Sequence, residues 1–471
     1  MKYHFLIALF FFIGLSTSPF QSKAQSIVTL ERFESARLET IDGEQIRKIY
    51  TARMSLGDVT MVCDSAWQFI DKNELRAFGN IQIDTSTENI WTDTLYYYTN
   101  QELSKLRGRV VIFQDSTTLF GEKVDYNFAT KVAYFKEGIR LEDEDGVLTA
   151  FQGVYFQNQD SAIFRNHVQI SDSAQYAEGD SLFINREREF LQLYSNVFVI
   201  DSTNNGLLTG DFLEADSTGR RYVEGNGYLR KIDADSASSD TTHIYAEELL
   251  MIENDSTSTI SGFIDVSVWS ENFSSLSDSL FYDSQSELFE LEGNPIAWHK
   301  RIQLSGPFID VQLDSNKVKL LKSYIGAFAV QEDSATGRLH QLKGDSLIAF
   351  FDQGEVSEIL IHPNSEILYH TKNDNGDADG AMESTSPRTI LYFENGELTQ
   401  AKMGKNQGYF LPEYAELASR KLDGFQWNPE LRPQKTETSP APKWEPIPTE
   451  RPFALPTRFV NFLELKASEK N

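Results

Sequence analysis

Leu95-Tyr-Tyr97, followed after a short polar segment by Leu106-Arg-Gly-Arg-Val110-Val-Ile112, is a sequence unit that recurs along most of the chain. It returns as Val124-Asp-Tyr126 with Phe135-Lys-Glu-Gly-Ile139-Arg-Leu141, and again as Leu280-Phe-Tyr282 with Leu291-Glu-Gly-Asn-Pro295-Ile-Ala297. The period is about 30 residues, which is typical of solenoid-like repeat proteins. The fold is therefore expected to be an array of similar units.

Each unit contains two stretches in which every second residue is apolar. This alternation predicts β-strands with one buried and one solvated face, because successive side chains of a strand point to opposite sides. Polar residues such as Thr99-Asn-Gln-Glu102 separate the two stretches and are typical of turns. Two strands joined by such a turn form a hairpin. The third residue of the first stretch is expected to point inward, and these candidates are Tyr97, Tyr126, Phe156, Ile184, Met251 and Tyr282.

A glycine or asparagine lies at a similar place inside the second strand of successive units. The residues are Gly79, Gly108, Gly138, Asn166, Asn196, Gly225, Gly262 and Gly293. Glycine at a fixed place in a strand indicates a bulge or bend. We therefore expect each unit to fold over at a corner.

These features predict an all-β protein: an elongated antiparallel β-jellyroll built from about ten stacked hairpins, since one hairpin cannot bury its own apolar face. A Ser/Asp-rich insertion between residues 233 and 242 suggests a division into two blocks. We assign residues 25–232 to the first repeat block and 243–433 to the second. Residues 434–471 form a proline-rich C-terminal tail.

The N-terminus and the charge restrict the compartment and the partners. Residues 1–24 have a basic start, an apolar run from Phe5 to Leu15 and a small-x-small end at Ser22-Lys-Ala24, as secretory signal peptides do. The predicted location is the periplasm, either free or associated with the outer membrane. The net charge of −27 argues against nucleic-acid binding, which requires basic residues to neutralise phosphates.

No catalytic constellation is visible in the sequence. The chain lacks a Gly-x-Ser-x-Gly elbow, a His-Glu-x-x-His motif and a Walker loop, and its single cysteine, Cys63, cannot form a zinc-binding pair. We therefore predict that the protein is not an enzyme and that it has no metal site and no cofactor.

The units resemble the OstA-like repeats of lipopolysaccharide-transport proteins, the LptA/LptC group and the periplasmic domain of LptD. The resemblance rests on Arg76-Ala-Phe-Gly-Asn-Ile-Gln-Ile83, Asp93-Thr-Leu-Tyr-Tyr97, Leu106-Arg-Gly-Arg-Val110 and Leu291-Glu-Gly-Asn294. It is greatest for the long OstA-like proteins of Bacteroidota-type bacteria, which the segment Gly424-Phe-Gln-Trp427 also resembles. The chain is much longer than the short periplasmic members.

The resemblance implies a V-shaped jellyroll, the β-taco, whose apolar groove shields the acyl chains of lipopolysaccharide on the way to the outer membrane. It also implies that partner transport proteins stack edge to edge on the sheet. On this interpretation the six inward candidates, Tyr97, Tyr126, Phe156, Ile184, Met251 and Tyr282, line a lipid groove.

Two other functions stay open. Inward aromatic residues could fill a closed core, which would make the chain a β-repeat scaffold or an adhesin. A carbohydrate-active enzyme on a parallel β-helix fits less well, because the units are two-stranded and no catalytic set is present. An open apolar cleft would favour lipid transport, and a closed core would favour a scaffold.

Overall fold

The computed structural model describes residues 28–469 except 145, 204, 234–239, 255–256, 316, 395 and 436–439. The predicted signal peptide, residues 1–24, lies outside the described residues. Within them the chain is almost entirely β-structure, and the single α-helix described, α1, spans Thr457–Glu469. No helix in this described part is long and apolar enough to cross a membrane.

The first strands are β1 (Thr29–Arg32), β2 (Ser35–Ile41), β3 (Glu44–Leu56), β4 (Val59–Phe69), β5 (Glu74–Asp84), β6 (Asn89–Tyr98), β7 (Leu103–Gln114), β8 (Thr117–Asn127), β9 (Val132–Phe135), β10 (Ile139–Glu142), β11 (Val147–Ala150) and β12 (Gln152–Phe156). The middle strands are β13 (Ser161–Ser171), β14 (Gln175–Asn185), β15 (Phe190–Asp201), β16 (Gly206–Asp216), β17 (Arg220–Asp233), β18 (Asp240–Glu253), β19 (Ser258–Trp269) and β20 (Ser274–Asp283). The last strands are β21 (Leu288–Glu292), β22 (Ile296–His299), β23 (Ile302–Ser305), β24 (Phe308–Asp314), β25 (Lys317–Glu332), β26 (Leu339–Asp352), β27 (Glu355–Ile361), β28 (Ser365–Lys372), β29 (Ala378–Ser386), β30 (Thr389–Glu394), β31 (Glu397–Met403) and β32 (Gln407–Pro412).

Consecutive strands pair antiparallel in one continuous sheet. Strands β3 to β8 form an uninterrupted meander, and β13 to β20 form another. Between and after these meanders some strands are divided into two shorter ones, as β8 pairs with both β9 and β10. The sheet continues across the insertion near residue 233, where Asp233 is paired with Asp240. The division into two blocks stays a prediction.

A corner in the middle of the long strands divides each of them into two halves. The pairing register shifts between Arg107 and Val110 in β7 and between Glu224 and Gly227 in β17. Gly225 and Asn226 lie there in the left-handed region, with φ of 76° and 52°. We call the side that contains residues 94–98 and 123–127 wall A, and the side that contains residues 89–91 and 110–114 wall B. The predicted all-β antiparallel jellyroll is confirmed.

One predicted corner residue is wrong. Gly262 pairs in regular register with Leu249 and Leu280, and the bend falls two residues later, where Ile264 and Asp265 have φ of 64° and 54°. At this unit two ordinary residues adopt the left-handed conformation that glycine or asparagine adopts at most other corners. No glycine or asparagine marks this corner in the sequence, so its position could not be predicted from residue type.

The main apolar core lies between the two walls and runs along the sheet. It includes Leu106 and Val110 near the N-terminal end, Leu182 and Leu249 in the middle, and Ile309 further on, all of them buried. After Pro412 the chain leaves the sheet and returns along the outer face of wall B, where α1 packs against β6 to β8. The core and the tail thus cover opposite faces of wall B.

Candidate functional site

The space between the walls is an apolar trough. Its floor lies at the corners, where side chains such as Leu106, Val110 and Ile309 are fully buried. Its mouth is the opposite edge, where the hairpin loops of the two walls face each other. Alternation along each strand places one set of apolar side chains inside this trough and leaves the other set on the outer faces.

Five of the six inward candidates point into the trough. Tyr97, Tyr126, and Tyr282 are buried members of the main core, and Ile184 and Met251 pack against it while partly exposed. Their strands place them at similar depths in wall A, two residues beyond buried core residues such as Leu95 and Leu280. The sequence pattern therefore identified most of this lining, and contact with lipid stays a prediction.

The prediction that Phe156 points inward is wrong. Tyr155 is the buried core residue of β12: it pairs with Ala162, which also pairs with the inward Ile184. Phe156 pairs with Ser161 one step further along and faces the other side. The segment Val154-Tyr155-Phe156 is apolar at all three positions, so alternation does not define its parity, and a shift of one residue exchanges the two faces.

Several cavities lie between the walls, and three of them contain predicted lining residues. The first, of about 150 Å³, is lined by Val199, Leu208 and Leu229 of wall B and by Met251 and Ile260 of wall A. Charged residues border it, and they are Asp201, Arg221, Lys231 and Glu253. An apolar lining with a charged border suits a ligand that has hydrocarbon and polar parts, because hydrocarbon burial stabilises by about 0.8 kcal/mol per CH₂.

The second and third cavities lie nearer the N-terminal end. One of about 470 Å³ is lined by Leu148 and Ile170 of wall B and by Tyr155, Ile184 and Leu191 of wall A. A smaller one, of about 70 Å³, contains Met54, Met61, Ile83, Leu95 and Tyr97 in its lining. Three of the predicted residues, Tyr97, Ile184 and Met251, thus line cavities between the walls.

Polar contacts connect the walls across the mouth near the N-terminal end. Glu88, at the tip of a wall B hairpin, accepts a hydrogen bond from the hydroxyl of Tyr126 and lies 3.3 Å from Nζ of Lys131, both in wall A. Arg186 of wall A donates to Oγ1 of Thr117 at 2.6 Å and pairs with Asp143 at 2.9 Å, both in wall B. These contacts hold the loops of opposite walls together.

Similar contacts occur towards the C-terminal end. Lys300 at wall B pairs with Glu355 at wall A, and Nε2 of the neighbouring His299 lies 3.0 Å from the carbonyl oxygen of Gly354. Lys372 of wall B pairs with Glu397 of wall A at 2.9 Å, and this hydrogen bond is the main reason that the pKa of Lys372 is raised. The cavity at Met251 lies between the two groups of contacts along the chain.

These contacts across the mouth could not be predicted from the sequence. Their residues lie in hairpin loops or at strand ends, where acidic and basic residues are ordinary, so composition gives no signal for them. Only the folding of wall A over wall B brings Glu88 to Lys131, and Arg186 to Asp143.

The described part of the chain has no clustered metal ligands, and its cysteine is buried. No group of three or more His, Cys, Asp or Glu residues in this part of the chain is arranged to hold a metal ion. Cys63 is buried in the core, and burial, with a smaller contribution from Asp64, raises the pKa of its thiol to about 12. A protonated, buried thiol is unreactive and acts as a small apolar residue.

Comparison with known proteins finds a family similarity in the N-terminal third. Residues 25–180 match the family described as OstA-like protein. A structure of LptH from Pseudomonas aeruginosa, described as the LptA-homologous periplasmic component of the conserved lipopolysaccharide transport device, is 15% identical. The alignment covers 25% of this chain and 82% of LptH, with a TM-score of 0.22. The search of curated proteins found no match. Over residues 25–180 the chain is therefore similar to the OstA-like family.

Proposed function

We propose that this protein is a periplasmic carrier that binds lipopolysaccharide by its acyl chains in the trough between the walls. The observation that carries the proposal is the set of apolar cavities between the walls, to which Tyr97, Ile184 and Met251 contribute. The signal-peptide pattern and the OstA-like match over residues 25–180 support the location and the pathway.

The ends of the sheet offer places for partner proteins. At one end β1 and β2 pair with β3 and with no other described strand, and Phe33 and Leu38 are exposed there. At the other end β32 pairs with β29 and exposes Tyr409 and Phe410. Unpaired strand edges with exposed apolar side chains can add a strand from another protein. We propose that other transport proteins of this type stack on these edges.

A closed scaffold is the competing function, and one observation favours it. The deeper part of the trough is closely packed, with Leu106, Val124 and Val223 fully buried. A closely packed core of this kind is sufficient for a scaffold. The two proposals differ in whether the upper part of the trough, at the cavities, contacts lipid in the cell.

Photo-crosslinking in cells tests the proposal with matched neighbours. A photo-reactive residue at Tyr97 should crosslink to lipopolysaccharide, and one at Tyr96, the same residue type on the opposite face, should not. Ile184 and Phe183 form a second matched pair, and Met251 tests the middle cavity. Crosslinks of equal yield at both members of a pair, or none at any inward position of the exported protein, would contradict lipid binding in the trough.

A further inference from the structure

The described residues from 413 to 469, which follow the last strand and are called the tail from here on, contact wall B at successive places in reverse order along the sheet. Leu417 is fully buried against Leu368 and Ala381, near the C-terminal end. Further along the tail, Arg432 donates to the hydroxyl of Ser274 and to the carbonyl of Lys300, at 3.1 and 2.6 Å. The tail therefore follows the outer face of wall B back towards the first strands.

The next contacts lie nearer the N-terminal end. The backbone N–H of Lys443 donates to Glu178, and Gln169 donates to the carbonyl of Glu445 at 2.6 Å. Arg451 then pairs with Glu142 at 2.9 Å. Together with α1, these contacts join strands β26 to β29 to strands β6 to β8 through one segment of chain.

Buried glutamines of wall B bind the backbone of the tail. Gln341 donates to the carbonyl of Arg420 at 3.0 Å and accepts from the N–H of Leu422 at 2.8 Å. Gln303 repeats this arrangement with the carbonyl of Gln426 at 3.0 Å and the N–H of Asn428 at 2.9 Å. Both glutamines are at most 2% exposed. Each glutamine thus bonds both a carbonyl and an N–H of the tail backbone, and these paired hydrogen bonds fix the register of the tail on wall B.

The helix α1, at the C-terminal end of the tail, anchors the tail to the N-terminal part of the sheet. Its Phe459 is 1% exposed and lies with its ring 4.8 Å from that of Trp91, and Phe462 lies 5.1 Å from the same ring. Val111 and Phe120 complete this apolar seat. A helix of 13 residues is marginal alone in water, so packing on wall B stabilises it.

We propose that the outer face of wall B is a binding surface for this chain's own tail, and that the tail is a brace that makes the two ends of the sheet unfold together. In a stack of hairpins each strand contacts only its neighbours, so stability is a sum of local terms and one end can unfold alone. A segment bound at several distant places adds a connection that the stack itself lacks. Unfolding of one end then also releases contacts of the tail that stabilise the other.

The test cuts the tail in the folded, full-length protein. A specific protease site replaces residues 436–439, and urea unfolding is followed by hydrogen exchange in β5–β8 and in β26–β29. Before cleavage the two regions should lose protection at the same urea concentration. After cleavage β5–β8 should lose protection first, with about tenfold faster exchange than in the uncut variant at the same urea concentration. Separate transitions before cleavage, or coincident transitions after it, would overturn the proposal.

A second variant tests the brace without a cut. Phe459→Ser combined with Phe462→Ser releases the anchor, and Leu465→Ser on the exposed side of α1 is the matched control. The double variant should separate the two transitions as cleavage does, and Leu465→Ser should leave them coincident. If the tail only covers apolar surface, the double variant will show faster exchange only in the strands that α1 touches, and the increase will be the same at all urea concentrations. That result would contradict the brace.

Discussion

The amide of Asn226 donates a hydrogen bond of 2.7 Å to Oδ2 of Asp211 at the corner where strands β16 and β17 turn from one wall to the other. Asn226 is in the left-handed conformation with φ of 52°. Asparagine tolerates this conformation better than most residues, and the bond to the neighbouring strand stabilises it further. The corner therefore depends on one residue from each of two adjacent strands.

The same pair recurs along the fold. The amide of Asn80 donates to Asp64 at 2.8 Å, that of Asn196 to Asp180 at 2.6 Å, and that of Asn364 to Asp345 at 2.9 Å. At another corner Arg109 takes the place of asparagine and donates to Asp93. The repetition indicates that the corner is held by the same bond in units that are far apart.

Replacement of Gly225 by alanine should destabilise this corner. The new Cβ would lie 2.6 Å from Oδ2 of Asp211, and φ of 76° is unfavourable for alanine. We expect a loss of about 2–4 kcal/mol in the free energy of unfolding, about 1–2 from the backbone conformation and the rest from the clash. Urea unfolding of the full-length variant measures it.

The control is Gly326→Ala at another corner. Gly326 has φ of 87°, but a Cβ there would meet nothing within 4 Å. This variant should lose only the backbone contribution, about 1–2 kcal/mol. Equal losses in the two variants would show that the contact with Asp211 has no role.

Substitutions at adjacent positions of β12 test the register that the structure gives. Tyr155→Ala removes a buried ring from the core and should cost about 3–5 kcal/mol, as for other large aromatic residues. Phe156→Ala removes a half-buried ring from the outer face and should cost about 1 kcal/mol or less. Thermal unfolding of both variants measures the two losses of stability. A larger loss in Phe156→Ala than in Tyr155→Ala would show that Phe156 is the inward residue.

Much of the fold could be predicted because its signal is repeated. The alternation at Leu95-Tyr96-Tyr97 and at Leu280-Phe281-Tyr282 has the correct parity, and the corner glycines Gly79, Gly108 and Gly225 all have positive φ. The alternation of buried and exposed residues and the backbone conformation of a corner are local properties, so each unit shows them in its own sequence. The sequence pattern of one unit is weak, but its repetition makes it recognisable.

The rest depends on contacts between distant segments. Val154-Tyr155-Phe156 is apolar throughout, so only its pairing with β13 shows which face is buried. The contact of Phe459 with Trp91 joins residues at opposite ends of the chain, and nothing in either segment indicates the other. The trough lining was therefore largely predictable, while the contacts across the mouth and the docked tail were not.

Acid should destabilise the protein through His340. Its ring is buried, stacks on Tyr369 with centroids 4.0 Å apart, and accepts a hydrogen bond from the N–H of His370 at Nδ1. Burial lowers the pKa of His340 from 6.5 to about 4. In the unfolded chain the imidazole binds a proton below pH 6.5, so its contribution is complete above that pH and is lost as the pH falls towards 4.

The expected loss from this residue is on the order of 2 kcal/mol between pH 7.5 and 5. His340→Asn keeps an acceptor near the N–H of His370 and does not titrate, so it should have a correspondingly smaller slope of unfolding free energy against pH in this range. An unchanged slope in His340→Asn would show that the pKa of the ring is the same in the folded and the unfolded protein.

Removal of the hydroxyl of Tyr126 should weaken the contact between the walls near the N-terminal end. The hydroxyl donates to Glu88, a carboxylate that is only 4% exposed, and burial together with this negative charge raises the pKa of Tyr126, so the proton stays on the tyrosine. In Tyr126→Phe the ring still fills the core, but Glu88 keeps only Lys131, 3.3 Å away, as its described ionic partner. Loss of a hydrogen bond to a buried charged group costs about 1.5–3 kcal/mol.

Hydrogen exchange distinguishes a contact between the walls from general loss of stability. In Tyr126→Phe the N–H of Glu88, which donates to Thr85 at the tip of the wall B hairpin, should exchange faster under native conditions than in the wild type, while the corner at Gly225 keeps its protection. Tyr134→Phe removes a hydroxyl from an exposed ring of the adjacent strand β9 and should change neither value. If Tyr126→Phe leaves the hairpin as protected as the wild type, the walls are held together at this end by the packing of the core, and the bond between Tyr126 and Glu88 contributes nothing to the closure of the mouth.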